Sequence, residues 1–273
     1  MWYERFLEED IGFGDITSEL LLSDEEAVGT IFTKEDCVLA GLDEIEEMFR
    51  AYGVSTLPLA NDGDAVKKGS DVLELRGKVR TILMLERTAI NLLGHMSGVA
   101  TYAKKLVDLA REENPDIIVA ATRKTTPGLR LLEKKAASLG GADTHRLRLD
   151  DHILIKDNHI AAVGSIREAV ERAKKASFVR KIEIECETLE DAVEAADAGA
   201  DIIMLDNMSP DEAKRSYEFI KKRYPRVLIE ISGGINESNI KDYARAADII
   251  SVGAMTHSAR SIDFSLEIES IME

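Results

Sequence analysis

From residue 117 onward, short apolar runs alternate with amphipathic segments. IIVAAT ends at Thr122, HILIK at Lys156, KIEIE at Glu185, DIIMLD at Asp206, RVLIEIS at Ser232 and DIISVG at Gly253. Each run is rich in Ile and Val and too short for a helix, which predicts a strand. Helix signals stand between them: Thr126 before Pro127 with a stop at Gly140, Ser165 with Glu168, Ser209 with Pro210 and Glu212, and a cap at Asn236. Alternating strand and helix units predict a parallel sheet, and a repeat on the order of 30 residues suits a β/α barrel. Six strands are legible where a closed barrel has about eight. The barrel is therefore expected to be incomplete, or to draw a further strand from residues 140–150.

The first part of the chain reads differently. AVGTIFTK and VLAG are β-rich, and in NDGDAVKKGSDVLELRG the pairs Gly63-Asp64 and Lys68-Gly69 punctuate alternating apolar residues, as in a hairpin of a small sandwich. This stretch resembles the biotinyl-type half-sandwich, but no lysine stands in the motif that such carriers modify. The following VRTILMLERTAINLLGHMSGVATYAKKLVDLAREE predicts a helix with Ile82, Leu85, Ala89, Leu92, Leu93 and Met96 on one face, and Arg87, Asn91, Gly94 and Gly98 on another.

Composition narrows the function. With 273 residues, 45% of them hydrophobic, the chain suits one large domain or an enzyme domain with a smaller companion. No apolar run approaches the roughly 20 residues of a membrane span, and MWYERFLEEDIG has acids where a secretory signal needs a basic start, so the cytoplasm is the expected location. Cys37 and Cys186 are too few for a disulfide framework or a thiolate metal cage and are expected to be plain thiols. A formal net charge of -16 argues against nucleic acid as a partner. It leaves room for a small anionic substrate wherever cations are gathered locally.

Such a gathering is predicted at the strand ends. Arg123 and Lys124, Lys156, Glu185, Asp206, the turn Ser232-Gly233-Gly234, and Gly253 followed by His257 all lie at or just beyond a carboxyl end. In a β/α barrel those ends share one face, where the chemistry is placed. Singly, each has a plain structural reading as a solvated loop cation, a helix cap, an ion-pair partner or a turn. Together with His145 and Arg146 they put up to five cations on one rim of an acidic protein, and that cluster calls for an anion. Glu185 and Asp206 then suit Mg²⁺ or ribose hydroxyls, since Mg²⁺ takes one or two carboxylates plus substrate phosphates. Glycines after the last strands are where barrels bind a phosphate monoester.

At these residues the sequence resembles quinolinate phosphoribosyltransferase, the carboxylating nicotinate-nucleotide pyrophosphorylase family. The likeness spans nearly the whole chain and includes EEDIGFGDITSELL, ERTAINLLGHMSGVAT, TRKTTPGLRLLEKKAA, GGADTHRLRLDDHILIKDNHI, EIE, MLDN, ISGG and SVGAMTHSAR. It implies an α/β fold, an N-terminal α/β sandwich of residues 1–95 joined by 260–273, and an incomplete, TIM-like α/β barrel of residues 96–259. It further implies that Arg87, reaching in from a neighbouring subunit of a homodimer, joins Arg123, His145, Arg146 and Lys156 on the quinolinate carboxylates. Lys124 and Lys156 would lie near the pyrophosphate of phosphoribosyl pyrophosphate. Glu185 and Asp206 would face ribose and Mg²⁺, and Ser232, Gly233, Gly234, Gly253 and His257 would cradle the 5-phosphate. The implied chemistry needs no redox cofactor.

Ala142, Arg148 and Ile231 depart from the family pattern near this site, where glycine, glycine and serine are usual. Two other readings stay open: a related transferase acting on another aromatic acid, and a barrel lyase or isomerase of phosphosugars, which would share the glycine cradle without needing Arg87. Lys156 favours quinolinate over the first.

Overall fold

The computed structural model describes residues 1–176 and 178–272. It divides into two compact units, Met1–Tyr102 with Ala259–Glu273, and Ala103–Ser258. The division falls inside one uninterrupted helix, where the sequence reading placed the break at 95/96.

In the first unit, two short helices, α1 (Glu4–Ile11) and α2 (Ile16–Leu21), precede β1 (Glu26–Thr33), β2 (Cys37–Val38), α3 (Leu42–Ala51), β3 (Ser55–Pro58), β4 (Ala65–Val66), β5 (Asp71–Lys78) and the start of α4 (Val79–Arg111). β1 lies in an antiparallel sheet between the C-terminal strand Phe264–Met272 and β5, with β3 beyond β5. β4 pairs with β2 rather than with β5. The hairpin expected in NDGDAVKKGSDVLELRG is thus opened, because Lys68 N–H and Lys67 Nζ both donate to Asp36, next to β2. The apolar face expected on α4 is buried at Ile82, Leu85, Ala89, Leu92, Leu93 and Met96.

The other face of α4 explains its glycines. Ile262 N–H donates to Gly94 O at 3.0 Å. A Cβ on Gly94 would stand 2.6 Å from Ile262 O, and one on Gly98 closer still to Arg260 O. Backbone, which cannot rotate away as a side chain can, occupies the space that any other residue would fill.

The second unit alternates strand and helix: β6 (Ile118–Ala121), α5 (Arg130–Leu139), β7 (Ile153–Ile155), α6 (Asp157–Val163), α7 (Ile166–Ala173), β8 (Ile182–Cys186), α8 (Leu189–Ala198), β9 (Ile202–Asp206), α9 (Pro210–Arg223), β10 (Leu228–Ser232), α10 (Ile240–Ala244), β11 (Ile249–Val252) and α11 (Ala254–His257). Its six strands pair in parallel in the order β6-β11-β10-β9-β8-β7. Mixed α/β architecture with an incomplete, barrel-like parallel sheet is therefore the fold. Residues 140–150 add no strand, only a bridge from Asp143 to Ala120 beside β6.

Local signals explain the helix starts. Ser165 Oγ accepts from Glu168 N–H, and Ser209 with Glu212 forms a full capping box with Pro210 in the first turn. Two starts fall later than expected. Gly128 at φ +88° breaks the turn after Pro127, and α5 begins at Arg130. Asn236 turns its side chain onto Ser238 N–H, and α10 begins at Ile240.

Gly→Ala inside a helix normally stabilises by about 0.5–1 kcal/mol. For Gly98→Ala we expect the opposite sign, a loss of about 1–3 kcal/mol from overpacking, read as a lower urea midpoint at unchanged slope. A midpoint that rises would mean that residues 260–262 yield freely.

Candidate functional site

The parallel strands of the second unit all point their carboxyl ends one way, and a cavity of about 370 Å³ opens there. Arg123 and Lys124 follow β6, Lys156 follows β7, Glu185 is the last residue but one of β8, and Asp206 and Ser232 end β9 and β10; all six line the cavity, as do His145, Arg146, Gly233 and Gly234. Gly253 and His257 flank it through Lys124: a Cβ on Gly253 would stand 3.0 Å from Lys124 Cδ and 3.2 Å from His257 Nε2. Arg87 belongs to the first unit, is exposed on α4, and is not among the lining residues.

Each cation is placed by identifiable local bonds. Lys124 N–H donates to Thr122 Oγ1 at 3.1 Å, while Lys124 O accepts from Thr256 Oγ1 at 2.8 Å. Lys156 N–H donates to His159 Nδ1 at 3.0 Å and Lys156 O accepts from His159 N–H at 2.8 Å, which gives the KDNH run its structural reason. Lys156 Nζ then pairs with Glu185 Oε1. Arg146 is almost wholly buried, and burial together with the charge of Arg123 pushes its pKa down. Arg123 Nε is buried with no acceptor among the described residues. A guanidinium so placed favours an incoming carboxylate or phosphate.

The glycine turn is required by close approach. Gly233 at φ +100° packs against Asn207, whose backbone nitrogen would lie 2.7 Å from a Cβ there. Gly234 O is held by Asn236 and Asn239 side-chain amides, each at 3.2 Å. Asn207, at φ 57°, also donates Nδ2 to Asp206 Oδ2 at 2.6 Å. It and His145, at φ 49°, are the non-glycine residues with positive φ among the described residues, and strained backbone of this kind concentrates at functional sites.

Beneath the rim lies a buried cluster that the sequence reading missed. Glu183 on β8 and Glu230 on β10 are 0% exposed. His145 Nε2 stands 3.3 Å from Glu230 Oε2 and 3.4 Å from Glu183 Oε2, and His152 Nε2 stands 2.5 Å from the same Glu183 oxygen. Burial opposes charge on His145, but its bonds to both glutamates outweigh that and raise its pKa to about 10. Burial likewise raises Glu230. Burial would raise Glu183 too, yet the two histidines outweigh it and hold it low. Arg146 N–H donates to His145 Nδ1 at 2.8 Å, however, which needs a lone pair on that nitrogen and conflicts with a doubly protonated ring. The ring therefore keeps Nε2–H, the extra proton resides on Glu230, whose pKa burial raises, and the cluster shares that one proton. His145, His152 and Glu183 also bring three ligand atoms within 4.8 Å, but the 2.5 Å separation is that of a hydrogen bond rather than of two donors around one ion.

The departures from the family pattern stand apart from the cavity lining. Ala142 and Ile231 are buried in packing, and Arg148 is exposed beside Asp150 at 3.2 Å.

An open parallel barrel with clustered cations, two carboxylates and a glycine turn at its strand ends defines an enzyme class that handles phosphorylated, anionic small molecules. The family models for quinolinate phosphoribosyl transferase match almost end to end, the N-terminal domain at residues 15–97 and the C-terminal domain at 99–267. The chain is 48% identical over 272 residues to the probable nicotinate-nucleotide pyrophosphorylase [carboxylating] of Methanocaldococcus jannaschii, covering 97% of this chain and 95% of that one. It is 38% identical over 240 residues to the human nicotinate-nucleotide pyrophosphorylase [carboxylating], covering 87% and 81%. The solved nicotinate-nucleotide pyrophosphorylase of Francisella tularensis superposes with a TM-score of 0.91 at 36% identity, covering 97% and 94%. The chain belongs to the quinolinate phosphoribosyltransferase family.

The shared proton gives a pH signature. With the proton on Glu230, whose folded pKa burial raises above the 4.5 of a free carboxyl, the cluster's stabilisation is complete below about pH 4.5 and is lost as pH rises above it. Glu230→Gln, which carries an amide in place of the protonated acid, is expected to flatten the profile of unfolding free energy above pH 4.5 relative to wild type. An identical slope in both proteins would place the proton elsewhere.

Proposed function

We propose that this protein joins quinolinate to 5-phosphoribosyl-1-pyrophosphate, yielding nicotinate mononucleotide, pyrophosphate and carbon dioxide, as a step of de novo NAD synthesis. The observation that carries the reading is the cavity's composition: two arginines, two lysines and a histidine face Glu185, Asp206 and a glycine turn across one opening, with Glu230 deeper in the lining. Family membership and the activity for which those relatives are named support it.

In this reading Arg123, His145, Arg146 and Lys156 bind the two ring carboxylates, whose planar geometry matches guanidinium forks. Lys124 and Lys156 take the pyrophosphate. Ser232, Gly233 and Gly234, with Gly253 and His257 alongside, take the 5-phosphate. The C1–O bond to pyrophosphate breaks with its electron pair leaving on oxygen, and the ring nitrogen forms the C1–N bond. Glu185 and Asp206 stabilise the positive charge that builds on the sugar. The quaternised nitrogen then accepts electron density as the C2–carboxylate bond breaks, carbon dioxide departs, and a proton takes its place.

Glu185 and Asp206 form a donor set that suits Mg²⁺ bound together with substrate phosphates, one oxygen of each carboxylate being engaged by Lys156 and Asn207. Held there, Mg²⁺ would neutralise charge on the departing pyrophosphate. No redox step is involved. Arg87 is read as a residue of a second copy's site, so the active form is a homodimer, and its exposure on α4 supports that assignment. The two free, buried cysteines suit a reducing compartment such as the cytoplasm. Among the described residues no helix is long and apolar enough to cross a membrane.

Purified protein with quinolinate, phosphoribosyl pyrophosphate and Mg²⁺ is expected to release nicotinate mononucleotide and carbon dioxide, with no product from nicotinate. Acceptance of a different ring acid instead would move the reading to a related transferase. Arg87→Ala and Lys156→Ala are each expected to be inactive, and mixed dimers of the two to regain activity. No recovery in well-exchanged dimers would end the shared-site assignment.

A further inference from the structure

Lys134 lies on α5 with 1% of its surface exposed. An ammonium stripped of water is costly unless its donors are met. Here Nζ donates to the backbone carbonyls of Ala121 (2.6 Å), Thr144 and Arg146 (3.4 Å), three donors for three acceptors. Those carbonyls belong to the two segments that carry most of the cavity's cations. Ala121 ends β6, just before Arg123 and Lys124, while Thr144 and Arg146 bracket the strained His145. One turn back on the same helix, Arg130 donates Nε to Thr125 Oγ1 at 3.1 Å and Nη1 to Leu147 O at 3.2 Å. Two cations four residues apart share a helix face, and together they grip both segments through backbone and hydroxyl oxygens.

We infer that Lys134 is a positioning residue for the diacid: by drawing the carbonyls of Ala121, Thr144 and Arg146 onto one ammonium, it fixes where Arg123, His145 and Arg146 stand and thereby sets how tightly the two ring carboxylates bind. This rests on the reading of the site given above and deepens it. A purely stabilising lysine would be indifferent to which substrate is bound, whereas the acceptors of Lys134 Nζ belong to the ring-binding segments and not to the glycine turn proposed to take the 5-phosphate. Displacement of binding groups by a fraction of an ångström is enough to matter, since about 1 Å of misplacement can cost on the order of 100-fold.

Titration offers a readout that bulk stability does not. Burial lowers the Lys134 pKa to about 8, with Arg130 on its own helix, Arg123 after β6 and Arg146 in the facing loop pushing the same way and Asp143 opposing. Because the folded value lies below the 10.5 of a free lysine, stability from this group rises with pH through that window. The grip moves oppositely, for losing the proton removes one of the three donors. Affinity for the diacid should therefore weaken above about pH 8 even though this group's own contribution to stability grows.

The test measures quinolinate binding by calorimetry, together with kcat and both KM values, for wild type, Lys134→Met and Lys134→Arg between pH 7 and 9.5, with thermal unfolding alongside. We expect Lys134→Met to weaken quinolinate binding about tenfold or more, to change the KM for phosphoribosyl pyrophosphate far less, and to lose the wild-type weakening above pH 8. Lys134→Arg should recover part of the affinity. Unchanged quinolinate binding in folded Lys134→Met, or equal loss toward both substrates, would overturn the inference. Should the Met variant not fold, flat quinolinate affinity in wild type across pH 8 overturns it equally. A wild type that binds the diacid but makes no product counts against the functional reading and leaves this binding test intact.

Discussion

Like charges crowded into one cavity repel, and the second unit is organised around tolerating that repulsion. Arg123, Lys124, Arg146 and Lys156 line the same space of about 370 Å³, and burial, with the charge of Arg123 added to it, already pushes the Arg146 pKa down. Parallel pairing brings the strand ends together regardless of what they carry, because ladder geometry gives all of them one direction. The repulsion is then offset at three levels. Glu185 pairs with Lys156 at the rim, Glu183 and Glu230 lie under His145, and backbone carbonyls close around the buried Lys134. Under the proposed function a bound anion would complete what these groups begin, and the buried Arg123 Nε, with no acceptor among the described residues, fits that reading.

The sequence made the rim legible and left the floor hidden. Arg123, Lys156, Glu185 and Asp206 each interrupt an Ile- and Val-rich run at its end, and an interruption there is conspicuous. Glu183 and Glu230 fall inside their runs, where a single acid looks like the outward residue of an alternating strand. The available signal was the period of two: Glu183 shares a face with Glu185, and Glu230 with Ser232, so stepping back two positions from each strand-end residue leads to the buried acid below it. Lys134 gave less to work with. In LLEKKAAS it is one of two adjacent lysines, and nothing in the pattern says which is enclosed. Burial of its neighbour Glu133 to the same degree shows that this helix carries charge on the face where periodicity expects apolar residues.

Glycine was easier to notice than to interpret. Gly94 and Gly98 were visible as a separate stripe on α4, but their reason, the backbone of residues 260–262, comes from a segment more than 150 residues later. Gly128 shows the reverse: a local conformational demand at φ +88° overrides a strong proline start and delays α5 to Arg130. That delay has a consequence for the site. It frees Thr125 and Thr126 from the helix, so that Thr126 N–H is met by the buried Glu133 and Thr125 Oγ1 by Arg130, and the Arg123–Lys124 segment is tied to α5 by side chains rather than by helical hydrogen bonds.

The net charge of -16 adds a final constraint on how recognition works. Both proposed substrates are anions, so the protein's far field opposes their approach. Screening confines that field to roughly 8 Å at physiological ionic strength, and within such a distance the cavity's own cations dominate. Affinity must then come from short, geometrically fixed bonds rather than from long-range steering, which favours guanidinium forks and preset backbone over mobile surface lysines. A site under that constraint gains most from whatever holds its cations still. The investment of a strained His145 turn, a histidine-braced Lys156 and a fully enclosed Lys134 in holding a handful of side chains is what such a constraint demands.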